Sequence, residues 1–146
     1  MTTINPWINF NGNAQEAFDF YKSVFGGEFT KIIQFKDIAT PEFQVDPKDA
    51  DKYLRIVLPI GIGSELIGND VPEFMGKTNE NENRSKIAVS AESKEEAYKI
   101  FNGLSEGGTV EVPINDGPNG GPFGTYFAIF RDKYGIEWVV EFNSNK

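Results

Sequence analysis

Residues Glu16-Ala17-Phe18-Asp19-Phe20-Tyr21 come back later in the chain as Glu96-Ala97-Tyr98-Lys99-Ile100-Phe101. Each stretch runs on to paired glycines, Gly26-Gly27 and Gly107-Gly108, with one inserted residue in the second copy. Hairpin candidates follow in both halves, and by their letters Tyr53–Leu58 lines up with Tyr126–Arg131 and Ser64–Ile67 with Glu137–Val140. Such a duplication constrains the fold more than any single motif, because a repeated stretch repeats its supersecondary unit. One copy alone cannot cover both faces of its own sheet, so the two copies are expected to pack together. The sequence therefore predicts two sheets curving around a shared concave space, a cup in which a small ligand would sit.

Hydrophobic periodicity supplies the elements. Ile8 and Phe10 alternate with Asn5, Trp7 and Asn9, which predicts a first strand over Ile4–Phe10. Asn11-Gly12-Asn13 breaks it, and Ala17, Phe18, Tyr21, Val24 and Phe25 recur at the spacing of one helical face over Ala14–Phe25. Gly26-Gly27 stops that helix in the manner of a left-handed cap. Strands are expected at Glu28–Phe35, Tyr53–Leu58 and Ser64–Ile67, then again at Lys86–Ala91, Thr109–Val112, Thr125–Phe130 and Glu137–Phe142, with the second helix at Lys94–Leu104. The expected class is α+β: one domain over residues 1–146, made of paired βαβββ modules at 1–68 and 85–146 that form a curved, cup-like mixed sheet. The polar run 69–84, with Asn79-Glu80-Asn81-Glu82-Asn83, reads as a solvated linker.

What the chain lacks narrows its chemistry. It has no His and no Cys among 146 residues, so triads that use imidazole, thiol nucleophiles, disulfides and thiolate metal sites are all excluded. Catalysis would have to run on carboxylates, Lys, Tyr, Ser or Thr, and metal binding on hard oxygen ligands alone. The net charge of −8, with cations scattered along the chain, argues against nucleic acid as a partner. No stretch has the ~20 apolar residues of a membrane span and no basic-then-apolar leader opens the chain, so the protein reads as cytoplasmic. Thirteen Phe provide bulk for a core and for a lined pocket.

The run Pro6-Trp7-Ile8-Asn9-Phe10-Asn11-Gly12-Asn13, followed by Glu16-Ala17-Phe18, Phe20-Tyr21 and Val24-Phe25-Gly26-Gly27, resembles the opening signature of PhnB-like proteins. These form a branch of the vicinal oxygen chelate superfamily, which includes glyoxalases, bleomycin-resistance proteins and dioxygenases. Asn102–Gly108 and Asp132–Trp138 resemble the second half of the same family, so the likeness spans nearly the whole chain. It implies paired βαβββ modules, a cup-shaped sheet and a homodimer, on a fold that serves lyases, isomerases, dioxygenases and antibiotic-binding proteins. In metal-bearing members, His or Glu ligands project from the first strand and from the hairpin strands. The matching positions here are Asn5 or Trp7, Arg55, one of Arg84, Ser85 and Lys86, and Val139, none of them an ordinary ligand. A guanidinium at Arg55 repels a cation and suits an anion. No metal and no cofactor are expected. Some family members carry a name pointing to ubiquinone methyltransferase activity, yet no glycine-rich strand-to-helix turn is present to hold a nucleoside cofactor. Gly117-Pro118-Asn119-Gly120-Gly121-Pro122 instead reads as a loop covering one mouth of the cup.

Ligand-binding candidates are Trp7, Asn9, Tyr53 and Arg55. Trp7 is equally suited to a dimer interface, and Arg55 to an internal salt bridge with Glu137 or Glu141. Glu141 and Tyr126 are the candidate catalytic base and acid, provided that they converge on one substrate atom. Three functions follow. The first is a metal-independent, homodimeric protein that binds a small organic molecule without established catalysis. The second is a metal-free lyase or isomerase acting on a carbonyl or anionic substrate through Glu141 and Tyr126. The third is a structural dimer whose cup is filled by its own side chains.

Overall fold

A computed structural model describes residues 2–114 and 125–143, leaving Gly117–Pro122 outside the described residues. The chain divides into two compact units, residues 1–78 and 79–146. In the first, strand β1 (Trp7–Phe10) leads to helix α1 (Ala14–Phe25), and strands β2 (Lys31–Gln34), β3 (Tyr53–Ile60) and β4 (Ser64–Asp70) follow. In the second, β5 (Ile87–Ser90), α2 (Lys94–Ser105), β6 (Thr109–Val112), β7 (Thr125–Arg131) and β8 (Glu137–Asn143) repeat that order. Each unit holds a four-stranded mixed sheet, ordered β1-β4-β3-β2 and β5-β8-β7-β6, with its first strand parallel to its last. These are the two expected βαβββ modules of an α+β fold.

The core of each unit lies between its helix and one face of its sheet. Ala14, Ala17, Phe18 and Tyr21 of α1 are buried with Phe10, Ile56, Leu58 and Leu66. In the second unit Ala97, Ile100 and Leu104 are buried with Ala128, Phe130, Trp138 and Val140, and Phe101 meets Phe130 edge-on. Gly68 shows how tight the first core is: a Cβ there would stand 2.4 Å from a ring carbon of Phe18, so only glycine lets that ring lie on the strand.

The helices are capped differently. Ser93 caps α2 locally, its Oγ accepting from the Glu96 N–H. Asn13 makes no such bond for α1; the buried Asp70, at the far end of β4, accepts from the Ala14 N–H at 2.9 Å and from the Tyr53 N–H at 3.0 Å. Strand β4 therefore runs two residues past the expected module end, and Asn69 and Asp70 belong to the sheet. Part of the expected linker is also held in place, since Arg131 Nη1 donates to the Glu82 carbonyl and to the Gly135 carbonyl, each at 3.0 Å. Among the described residues no helix is long and apolar enough to cross a membrane.

Candidate functional site

Strand alternation divides each sheet into a face under the helix and a far face. In β1, Phe10 lies under α1, where its ring meets Phe18 edge-on, so Trp7 and Asn9 point to the far face, as expected. Register carries that assignment across the sheet. Trp7 pairs with Ile67 and Asn9 with Asn69 in β4, Val57 in β3 pairs with Ile67, and Ile33 in β2 pairs with Arg55. Trp7, Asn9, Asn69, Ile67, Val57 and Arg55 thus share the far face of the first sheet.

Arg55 and Trp7 meet there directly. The guanidinium carbon lies 5.1 Å from the centre of the indole ring, a cation–π arrangement that orients the planar group. Trp7 is fixed in turn, because its indole N–H donates to Asn69 Oδ1 at 2.7 Å while Asn69 Nδ2 donates to the Asp70 carbonyl at 3.0 Å. Trp7 is still 51% exposed. Arg55 Nε is buried and has no hydrogen-bond partner among the described residues. A buried N–H with no acceptor costs roughly 1–3 kcal/mol.

Glu137, one of the two carboxylates considered for Arg55, has an ion-pair partner within its own unit. Glu137 is 7% exposed and lies 3.8 Å from Arg131 Nη2 in its own hairpin. Burial pushes the Glu137 carboxyl up from the ordinary carboxylate range. A hydrogen bond with Glu111 and that residue's charge act in the same direction, and Arg131 and Lys86 only partly oppose them. Glu141 accepts from Ser90 Oγ at 3.2 Å. Tyr53 is engaged as well, its hydroxyl lying 2.7 Å from Gln15 Oε1 in the first turn of α1. The ligand-binding candidates therefore separate: Trp7 and Arg55 are in contact, Asn9 is exposed in the neighbouring row, and Tyr53 is tied to the helix end.

The two catalytic candidates are not brought together. Tyr126 pairs with Phe142 and alternates with the buried Ala128 and Phe130, which places it under α2. Its ring stacks on Phe142, and Lys94 Nζ of α2 lies 5.1 Å from its centre. Glu141 pairs with Phe127 and Ser90 on the opposite face. Adjacent residues of a strand point to opposite faces, so these two groups diverge and cannot serve one substrate atom as acid and base.

The same parity corrects the alignment of the two hairpins. Matching Tyr53 with Tyr126 sets Arg55 against Ala128, a far-face residue against a helix-face one. The registers match instead when Ile56–Gly68 is laid on Ala128–Val140, Lys31–Val57 on Val112–Ile129 and Ile8–Gly68 on Val89–Val140. A one-residue slip exchanges the faces of every side chain. Gly63 and Gly135, both at positive φ (79° and 87°) in their turns, carry the true register and were the sequence signal for it. Arg55 then corresponds to Phe127, Asn69 to Glu141, Trp7 to Ala88 and Asn9 to Ser90.

These far-face residues do not fit a resident divalent cation. Among the described residues no group of three His, Cys, Asp or Glu could hold one, and Glu141 is the one carboxylate in the set just matched. Arg55 would add a fixed positive charge beside any ion on its own sheet.

The model of the glyoxalase/bleomycin resistance protein/dioxygenase superfamily matches residues 4–140. Among solved structures, protein PA1353 from Pseudomonas aeruginosa is 28% identical, with a TM-score of 0.79 over 98% of this chain and 98% of its own. A PhnB protein from Bacillus cereus, provisionally described as a 3-demethylubiquinone-9 3-methyltransferase, is 23% identical with a TM-score of 0.71, covering 97% of this chain and 99% of its own. A glyoxylase/bleomycin resistance protein/dioxygenase domain from Frankia is 10% identical with a TM-score of 0.66, covering 98% and 93%. The last two carry the fold alone. No curated protein matches the chain.

Proposed function

The chain belongs to the glyoxalase/bleomycin resistance protein/dioxygenase superfamily, and on that premise we propose that it binds a small anionic organic molecule on the far face of its first sheet, through Arg55 and Trp7, without a resident metal. A fold that hosts many chemistries licenses none by itself, so the reading rests on the site. The observation that carries it is the buried, unpartnered Arg55 Nε beside an exposed indole. A charge-assisted hydrogen bond to an incoming anion would satisfy that donor, while Trp7 supplies a flat apolar surface for the rest of the molecule. Binding without catalysis is favoured over lyase or isomerase chemistry because Tyr126 and Glu141 lie on opposite faces of their sheet. The homodimer implied by the resemblance is part of the proposal.

Native mass spectrometry of protein taken directly from cells tests this reading. The wild-type protein is expected to run at dimer mass with a bound organic anion, and Arg55→Gln to lose that anion while keeping the dimer. A stoichiometric transition metal, or the same organic species retained by Arg55→Gln, would overturn it.

A further inference from the structure

From the same site, and resting on the anion-binding reading just given, we infer that the ligand is a monocarboxylate attached to a planar, apolar body. Arg55 Nε is buried and has no hydrogen-bond partner among the described residues, and in a guanidinium Nε and one Nη carry two parallel N–H donors. A planar carboxylate matches this pair with one oxygen on each donor.

Charge and donor count separate a carboxylate from a tetrahedral dianion such as a phosphate or phosphonate. Dianions are usually held by several convergent donors, often at a helix N-terminus or in a glycine-rich nest of backbone N–H groups. The N-terminus of α1 has an Asp70 oxygen on its Ala14 N–H. It also lies on the other side of the sheet from Arg55. The indole N–H of Trp7 is spent on Asn69, and one of the two Asn69 amide N–H groups on the Asp70 carbonyl. Lys31, paired with Val57 on the far face, is exposed at the sheet edge and adds only a solvated charge. A chain of net charge −8 further disfavours a second negative charge on the ligand.

The planar body follows from the surface beside Arg55. In the row that ends at Trp7, Val57 and Ile67 are already buried, so the surface left for a ligand is the half-exposed indole. A flat ring covers such a surface at little entropic cost.

The two tryptophans provide the readout, since Trp7 is 51% exposed and Trp138 is 1% exposed, giving two indole N–H signals in an 15N-labelled sample that Trp7→Phe assigns. Titration with benzoate, benzamide and phenylphosphonate is expected to move the Trp7 signal saturably with benzoate and leave it in place with benzamide. Phenylphosphonate should bind at least several-fold more weakly than benzoate. Arg55→Lys, which keeps the charge and loses the fork, should weaken benzoate about 10- to 100-fold, and Arg55→Gln should abolish the shift, with unchanged far-UV circular dichroism and urea midpoint reporting an intact fold in both. Phenylphosphonate binding as tightly as benzoate in an Arg55-dependent way would overturn the carboxylate assignment and leave the anion site standing. Shifts that persist in Arg55→Gln, or no shift of Trp7 with either anion, would overturn both.

Discussion

The two modules share their element order, strand registers and helix placement, and they differ most on the faces turned away from their helices. The first sheet sets Arg55, Trp7, Asn9 and Asn69 on that face, where the second has Phe127, Ala88, Ser90 and Glu141 at the matching positions. Arg55, whose buried Nε has no hydrogen-bond partner among the described residues, belongs to the first copy, and in the second copy Glu137 is paired with Arg131. Duplication thus fixed the scaffold and left the far faces free to diverge. The difference teaches that function in such a chain is sought at positions where equivalent residues disagree, because agreement mostly records packing.

The largest expected effect that separates the modules lies in how their helices begin. Asp70→Ala leaves the buried Ala14 N–H and the part-buried Tyr53 N–H without acceptors, and is expected to cost roughly 3 kcal/mol in urea unfolding. Ser93→Ala, which removes the local cap of α2, should cost only ~1 kcal/mol. Equal losses would show that the two helix starts are energetically alike.

Next comes Gly68→Ala, which drives a Cβ into the Phe18 ring and should cost about 1–3 kcal/mol. The matching residue of the second module, Val140, already carries a branched side chain at 0% exposure. A double variant with Phe18→Leu should recover much of the loss, and failure to do so would place the strain elsewhere.

Glu137 distinguishes the modules by pH. Its folded carboxyl is raised, chiefly by burial and then by Glu111, so folding favours the protonated form. Its stabilising contribution is fully present below the ordinary carboxylate pKa of ~4.3 and is lost as pH rises through the folded value. Glu137→Gln keeps a neutral group at every pH. Its thermal midpoint relative to wild type should therefore climb between about pH 4 and pH 7, and a constant difference across that range would contradict the assignment.

The smallest effect concerns Glu141 and Tyr126. Because they occupy opposite faces, Glu141→Gln and Tyr126→Phe should be additive in stability to within ~0.5 kcal/mol. A coupling well above that would mean that the two groups meet after all.

Much of this was legible in the sequence. The period of two in Ile8, Phe10, Trp7 and Asn9 gave the first strand its faces, and the helical spacing from Ala17 to Phe25 gave α1 its bounds. The fixed positive charge of Arg55 marked it as a candidate by its chemistry alone. Three things were hidden. The cap on α1 comes from Asp70, more than fifty residues away in sequence, and no local pattern announces a long-range cap. The hairpin register was masked by the chance likeness of Tyr53 and Tyr126, although Gly63 and Gly135 preserved it; a slip of one residue then turned Tyr126 from the helix side to the far side. The pairing of Glu137 with Arg131 across a tight turn depends on that same register, so it could not be separated from a bond to Arg55 by spacing alone.

The most direct test of the central claim is a crystal structure of the protein grown with benzoate. The account predicts a carboxylate oxygen within ~3 Å of Arg55 Nε, with the aromatic ring lying against Trp7. Arg55 Nε bonded to one of the protein's own carboxylates, with benzoate absent from the Trp7 face, would contradict it.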